Sequence, residues 1–160
     1  MKTITLAACL AALASQATAL SCIRPNPIAT FQRVAAAEEV YYVLYGQLTF
    51  DEAALPPGVS NDNDPMPDPI PARFEGKGLT KQGFTSDFIS PVNLQVQCAG
   101  PWCGSARSGA EAVYFVLADD PATFIADPCG GMIFEDPPQA TLDALTTCMQ
   151  GGVCSPQPLQ

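Results

Sequence analysis

Six cysteines constrain this chain more than any other feature. Cys22, Cys98, Cys103, Cys129, Cys148 and Cys154 follow an N-terminal leader that holds the seventh, Cys9. Residues 1–19 read as a secretory signal peptide of bacterial type. Met1-Lys2 is a short basic start, Thr5 to Ala14 (TLAACLAALA) is an apolar run too short to span a bilayer, and small residues follow. An even set of cysteines in an exported chain reads as three disulfides. Six cysteines allow fifteen pairings, and spacing suggests one of them. Cys98 can reach Cys103 across Gly100-Pro101, and Cys148 can reach Cys154 across Gly151-Gly152, which leaves Cys22 for Cys129. The long bridge would constrain the unfolded chain by about 4.7 kcal/mol and each short one by about 2.

The place of the signal cut decides what becomes of Cys22. Ala17-Thr18-Ala19 fits the small-x-small rule and makes residues 20–160 one mature domain beginning at Leu20. A cut after Ser21 would leave Cys22 first, with a free amine. Lipidation of Cys22 is a third outcome. Ala19 stands where a lipobox carries Leu, and the even cysteine count weighs against it as well. Without Lys2 the chain keeps six cations against sixteen carboxylates. That balance argues against nucleic acid as a partner. No second long apolar run follows, so no transmembrane segment is expected.

The hydrophobic pattern describes a mainly β domain. Thr30 to Glu39 reads as a short helix capped by Thr30. Val40 to Phe50 (VYYVLYGQLTF) reads as a strand with Gly46 a candidate bulge. Residues 51–71 hold six prolines and the tract NDNDPMPDP, and read as an exposed loop. Arg73 to Phe84 reads as a strand broken at Gly76 and Gly78. Phe88 to Cys98 alternates as a half-buried strand. Glu111 to Ala118 (EAVYFVLA) and Thr123 to Phe134 supply two more. A last helix is expected with Asp136 as cap, Pro137 first, and Leu142, Leu145 and Met149 as its buried stripe. Gly151-Gly152 ends it. About five strands with Gly and Pro turns and no βαβ alternation predict a small antiparallel OB-like barrel, with a short N-terminal helix and a C-terminal helix.

Few residues invite chemistry. The chain has no histidine, which removes the commonest general base and most zinc sites. Lys77 and Lys81 are the only lysines left for a serine-lysine pair, and both fall in a Gly-rich hairpin segment. Glu38-Glu39, Asp119-Asp120 and Glu135-Asp136 are neighbours that should point apart, so they are no preset acid-base pairs. Asn61-Asp62-Asn63-Asp64 starts like a calcium loop but puts Pro67 and Arg73 where Gly and Glu are required. Arg73, Lys77 and Lys81 lie within nine positions and are candidate contacts for an anionic partner, or a solvated strand edge. Trp102-Cys103-Gly104 opens like a thioredoxin-type motif, but Ala106 stands where the second cysteine belongs. A thiol-disulfide enzyme using Cys98 and Cys103 is thus the enzymatic alternative to a structural bridge. Trp102 is a further candidate contact.

The order of these pieces resembles the netrin-module family, which includes the tissue inhibitors of metalloproteases. The resemblance rests on Cys22-Ile23-Arg24-Pro25, Phe31 before the strand Val40–Tyr45, Trp102-Cys103-Gly104 before Val113–Ala118, and the unit from Cys129 to Cys154 with Phe134-Glu135-Asp136-Pro137. The chain also looks like an uncharacterised exported bacterial family bearing Gly-Pro-Trp-Cys-Gly and Pro-Cys-Gly-Gly. The resemblance implies an OB-fold barrel. In the inhibitors an N-terminal cysteine chelates the protease zinc, a role open here only to Cys22, and Arg24 replaces the family's second cysteine. The expectation is a periplasmic or secreted binding module for a protein or envelope component, with no catalytic residue, cofactor or bound metal. A metalloprotease-inhibitor-like module acting through Cys22 is the alternative.

Overall fold

The structure, a computed structural model, describes residues 21–58 and 65–156. The signal peptide and Asn61–Asp64 lie outside the described residues. Along the chain come α1 (Pro27–Ala35), β1 (Tyr41–Phe50), a 3-10 turn (Glu52–Ala54), β2 (Ile70–Thr80), β3 (Gly83–Val96), β4 (Cys98–Ala99), β5 (Trp102–Cys103), β6 (Glu111–Leu117), β7 (Thr123–Ala126), β8 (Ile133–Glu135) and α2 (Gln139–Met149). Six strands make one sheet in the order β7-β3-β2-β1-β6-β8, and β4 pairs only with β5. The β3–β7 pair is parallel and the other pairs are antiparallel. The sheet curls into a half-barrel.

This corrects the expected closed antiparallel barrel of about five strands. The segment Thr123–Phe134 is not one strand. Gly130 and Gly131 take positive φ (71° and 109°) in a turn that ends β7 and sends the chain back as β8. Those two short strands form opposite edges of the sheet, so it stays open and mixed.

Each face of the sheet has its own core. On the concave side Leu44 and Leu48 of β1, Phe74 of β2, Leu94 of β3, Tyr114 of β6 and Phe124 of β7 pack together. Phe74 lies 5.3 Å from the Tyr114 ring and 5.2 Å from that of Phe124, in tilted and edge-on contacts. On the convex side Val43, Val113 and Phe115 meet Ile28 and Val34 of α1 and Leu142 and Leu145 of α2. Successive residues of β6 point to opposite faces, so its run of apolar residues serves both cores. Each such side chain, fully buried, stabilises the fold by about 1.5–3 kcal/mol.

Local chemistry moved several boundaries. Asn26, not Thr30, caps α1. Its Oδ1 accepts from the N–H of Ile28 (2.9 Å) and Ala29 (3.2 Å), and Pro27 takes the first helical position. Thr30 is buried inside the helix. Asp136 does not cap α2. The helix starts at Gln139 without a side-chain cap, and Asp136 turns at φ 47° toward Arg107. The buried stripe of α2 is Leu142, Leu145 and Cys148, because the Cys148–Cys154 bridge turns Cys148 inward and leaves Met149 half-buried. Pro71 belongs to β2, opposite Asn93. It lies beyond the last β1–β2 pair, where β2 has a neighbour on one side only.

Gly46 is not a bulge. The β1–β2 register runs unbroken through the Gly46↔Gly76 pair. A Cβ built on Gly76 would stand 2.7 Å from Phe74 Cζ and press on the Tyr45 carbonyl. The paired glycines let two backbones and the Phe74 ring share the concave face. The β2–β3 register slips two residues later, between Gly78 and Leu79. A Cβ on Gly78 would meet Leu44 and Ser86 at ordinary contact distance, 3.6–3.7 Å.

The bridges are Cys22–Cys129, Cys98–Cys103 and Cys148–Cys154, with Cα–Cα distances of 5.2, 4.0 and 4.8 Å. Gly76→Ala is therefore expected to cost about 2–3 kcal/mol, and Gly78→Ala under about 0.5. Urea unfolding of the oxidised chain checks the contrast; equal midpoints for the two variants would contradict this packing.

Candidate interaction surface

The Trp-Cys-Gly stretch is built as a clasp. Cys98 pairs with Cys103 and Ala99 with Trp102, around a two-residue turn whose first member, Gly100, has φ 59°. The N–H of Gly104 donates to the Gln97 carbonyl (2.8 Å), and that of Gln97 to the Ala126 carbonyl (2.8 Å). A Cβ at Gly104 would overlap the main chain of Ala126. The glycine after Cys103 is thus required by the close passage of β7. Both sulfurs are half-buried within the bridge, and Trp102 is exposed.

The three basic candidates do not form a positive face. Arg73 Nε bonds Glu75 (2.7 Å) and Lys77 faces Asp87 (3.9 Å). Alternation along β2 puts Glu75 on the same face as Arg73 and Lys77. Lys81 sits in the β2–β3 turn, where its carbonyl accepts from Gln150 Nε2 (2.7 Å).

Glu135 and Asp136 do converge, on an arginine. Arg107 donates from its Nε to Glu135 (2.7 Å), from its main-chain N–H to the same carboxylate (2.6 Å), and from Nη2 to Asp136. These hydrogen bonds, that to Glu135 first, hold the guanidinium above its ordinary pKa. Glu52 accepts from the Ser108 N–H (2.7 Å), and Ser108 Oγ bonds both main-chain groups of Phe50. Nothing in the sequence pairs these residues, since each contact spans 28 or more positions. Burial pushes the Asp127 carboxyl up, and that carboxyl accepts from the N–H of Cys129 (3.1 Å), fixing the loop that holds the long bridge. Beside it Pro25 occupies the space that a side chain at Gly130 or Gly131 would enter, while Ile23 is almost fully exposed. Among the described residues no group of three His, Cys, Asp or Glu side chains is arranged to hold a metal, and no helix is long and apolar enough to cross a membrane.

Among the described residues two concavities stand out. One, of 500 Å³, lies between α2 and the β2–β3 hairpin and is lined by Tyr45, Lys77, Phe84, Gln139 and Asp143 among others. Tyr45 OH donates to Glu111 at its edge. The other, of 520 Å³, opens at the mouth of the half-barrel. One wall is the start of β1, Val40 to Leu44; Gly78, Leu79 and Thr80 make the facing wall, with Phe88, Pro121 and Met149 closing it. Its origin is the register. The β1–β2 ladder begins at Leu44↔Gly78, whereas β1 and β6 pair from Tyr41↔Leu117. Beyond Gly78 only Leu79 and Thr80 of β2 remain, and they pair with β3 but not with β1. Tyr41, Tyr42 and Val43 then have a paired neighbour on one side only, and Tyr42 and Val40 are exposed (46% and 68%). Gly78 holds the cleft open, having no side chain to fill it.

A scan against family models, a search of curated proteins and a search of solved structures each find no match to this chain.

The hydrogen bond to Glu111, aided by burial and the Glu111 charge, pushes the Tyr45 pKa up from 10.0 to about 12. Its neutral form therefore stabilises the fold fully below pH 10, and that contribution is lost as pH rises from 10 to about 12. Buried Tyr114, also shifted up, loses its share as the solution becomes more alkaline. Tyr45→Phe should flatten the fall of Tm over that window. A wild-type slope in the variant would show that the bond does not govern it.

Proposed function

We propose that this chain is an exported interaction module that engages a protein of the cell envelope or exterior at the mouth of its half-barrel. The observation that carries this reading is the apolar cleft between β1 and β2. Its exposed aromatic wall rests on a sheet held by two cores and three bridges, a rigid platform of the kind specific binding needs. The leader pattern and the bridges support export to an oxidising compartment. The netrin-like and OB-like reading draws support from the β1-β2-β3 meander, from β6 beside β1, and from β7 curled back parallel to β3, a partly open Greek-key arrangement. Fold alone does not choose the activity. A second reading keeps Cys22 as an inhibitor's zinc-binding end, favoured by its bridge to Cys129 and the exposed Ile23 beside it.

Photo-crosslinking in exporting cells tests the first reading and the N-terminal residue of the same preparation tests the second. A benzoylphenylalanine at Tyr42 should give a discrete protein adduct that is absent from Thr49 on the opposite face and lost on Gly78→Leu. No adduct, or the same adduct from both positions, would refute the module reading. A chain beginning at Leu20 removes the inhibitor reading.

A further inference from the structure

The twelve residues lining the mouth carry no charge, but the segments leading into it are acidic. Glu38-Glu39 run directly into Val40, and Asp119-Asp120 directly into Pro121. All four carboxylates are exposed. The Ala118 N–H donates to the Val40 carbonyl (2.8 Å), so the two acidic segments leave the sheet side by side. The adjoining charges on the facing wall are Lys81 after Thr80, and Asp87, which faces Lys77. A low-dielectric cleft with such a rim attracts cations.

The cleft also offers main chain. Because Val40 directs its carbonyl to β6, alternation turns the N–H and C=O of Tyr41 the other way, toward the missing β2 rung. Tyr42 and Leu44 then place side chains on the concave side, beside Phe88. A strand edge next to side-chain pockets is the arrangement that accepts an added strand.

Resting on the module reading above, the geometry points to one class of occupant: an extended peptide segment of a partner protein, apolar at alternate residues and flanked by Lys or Arg. It adds as a strand along Tyr41–Val43, seats its apolar residues against Tyr42 and Phe88, and sets its cations against Glu38, Glu39, Asp119 and Asp120.

The probe is a fluorescein-labelled Lys-Lys-Val-Thr-Val-Thr-Val-Lys-Lys peptide added to the oxidised mature chain. Binding is read by anisotropy, with amide shifts read by NMR. Expected are saturable binding, shifts at Tyr41 and Val43, and a loss of affinity on the order of tenfold from low to high salt. Neutralising the rim (Glu38→Gln, Glu39→Gln, Asp119→Asn, Asp120→Asn) should have a similar effect. Gly78→Leu should abolish binding, and Ser86→Trp, which fills the cleft from an exposed position, should do the same if the first variant folds poorly. A peptide with proline in place of the central Thr should not bind.

Failure of the basic peptide to bind overturns the proposal. So does equal binding by the proline peptide or by one with Glu for Lys, or insensitivity to both filling variants. A dimer in sedimentation that either filling variant breaks would assign the cleft to a second copy instead. If the Tyr42 adduct forms while the peptide fails, the occupant class is wrong and the module reading stands. If both fail, both fall.

Discussion

Five residues, Ala118 to Ala122, carry the chain from β6 to β7, and the rest of the architecture depends on that connection. In the sheet, β1, β2 and β3 lie between these two strands. Laid flat, four strand spacings would separate them by about 19 Å. Five residues pulled straight reach about 17–18 Å, and these are not straight. Asp120 N–H bonds Leu117 and Thr123 N–H bonds Asp120, as in tight turns. The sheet must therefore curl until β6 and β7 meet, and the Tyr114 and Phe124 rings, 5.3 Å apart, fill the space where they do. Curling needs slack in the middle strands, which the Gly46↔Gly76 pair provides.

The same curl creates the mouth. The β1–β2 ladder stops at Leu44↔Gly78, where the β2–β3 register also slips, and β2 itself ends at Thr80 while β1 runs on beside β6 to Tyr41. The convex side cannot reseal the gap, because α1 and α2 are already committed to Val43, Val113 and Phe115. The bridges act at the periphery. Cys22–Cys129 ties the segment before α1 to the β7–β8 turn, Cys98–Cys103 closes the ribbon that passes under β7, and Cys148–Cys154 folds the chain back onto the end of α2. They hold the edges of an open sheet that has no ladder to close it.

Strands β1 and β6 were legible because their pattern is local: β-branched and aromatic runs ended by turn residues. The bridges were legible because two spacings are short and the third pair is what remains. The caps misled where two chemistries competed. Thr30 and Asp136 are good capping residues in isolation, but Asn26-Pro27 caps better and Asp136 is taken by Arg107. The single strand expected over Thr123–Phe134 failed because two positive-φ glycines act as a turn, not as part of a strand. Arg73, Lys77 and Lys81 looked like one basic cluster, and only the sheet register shows Glu75 among them and Asp87 opposite. The mouth itself was invisible to sequence reading. Tyr42, Gly78 and Phe88 meet only through the pairing of three strands, a relation that no local pattern encodes.

At its start β1 has β6 on one side and an open cleft on the other. Native-state hydrogen exchange of the oxidised chain, read residue by residue, tests it most directly. The amides of Tyr42 and Leu44, directed to β6, should exchange only with global unfolding. The amide of Tyr41, directed to the cleft, should exchange by orders of magnitude faster within the same strand. Protection of Tyr41 equal to that of Tyr42 and Leu44 would mean that β2 continues alongside β1 and that the mouth does not exist.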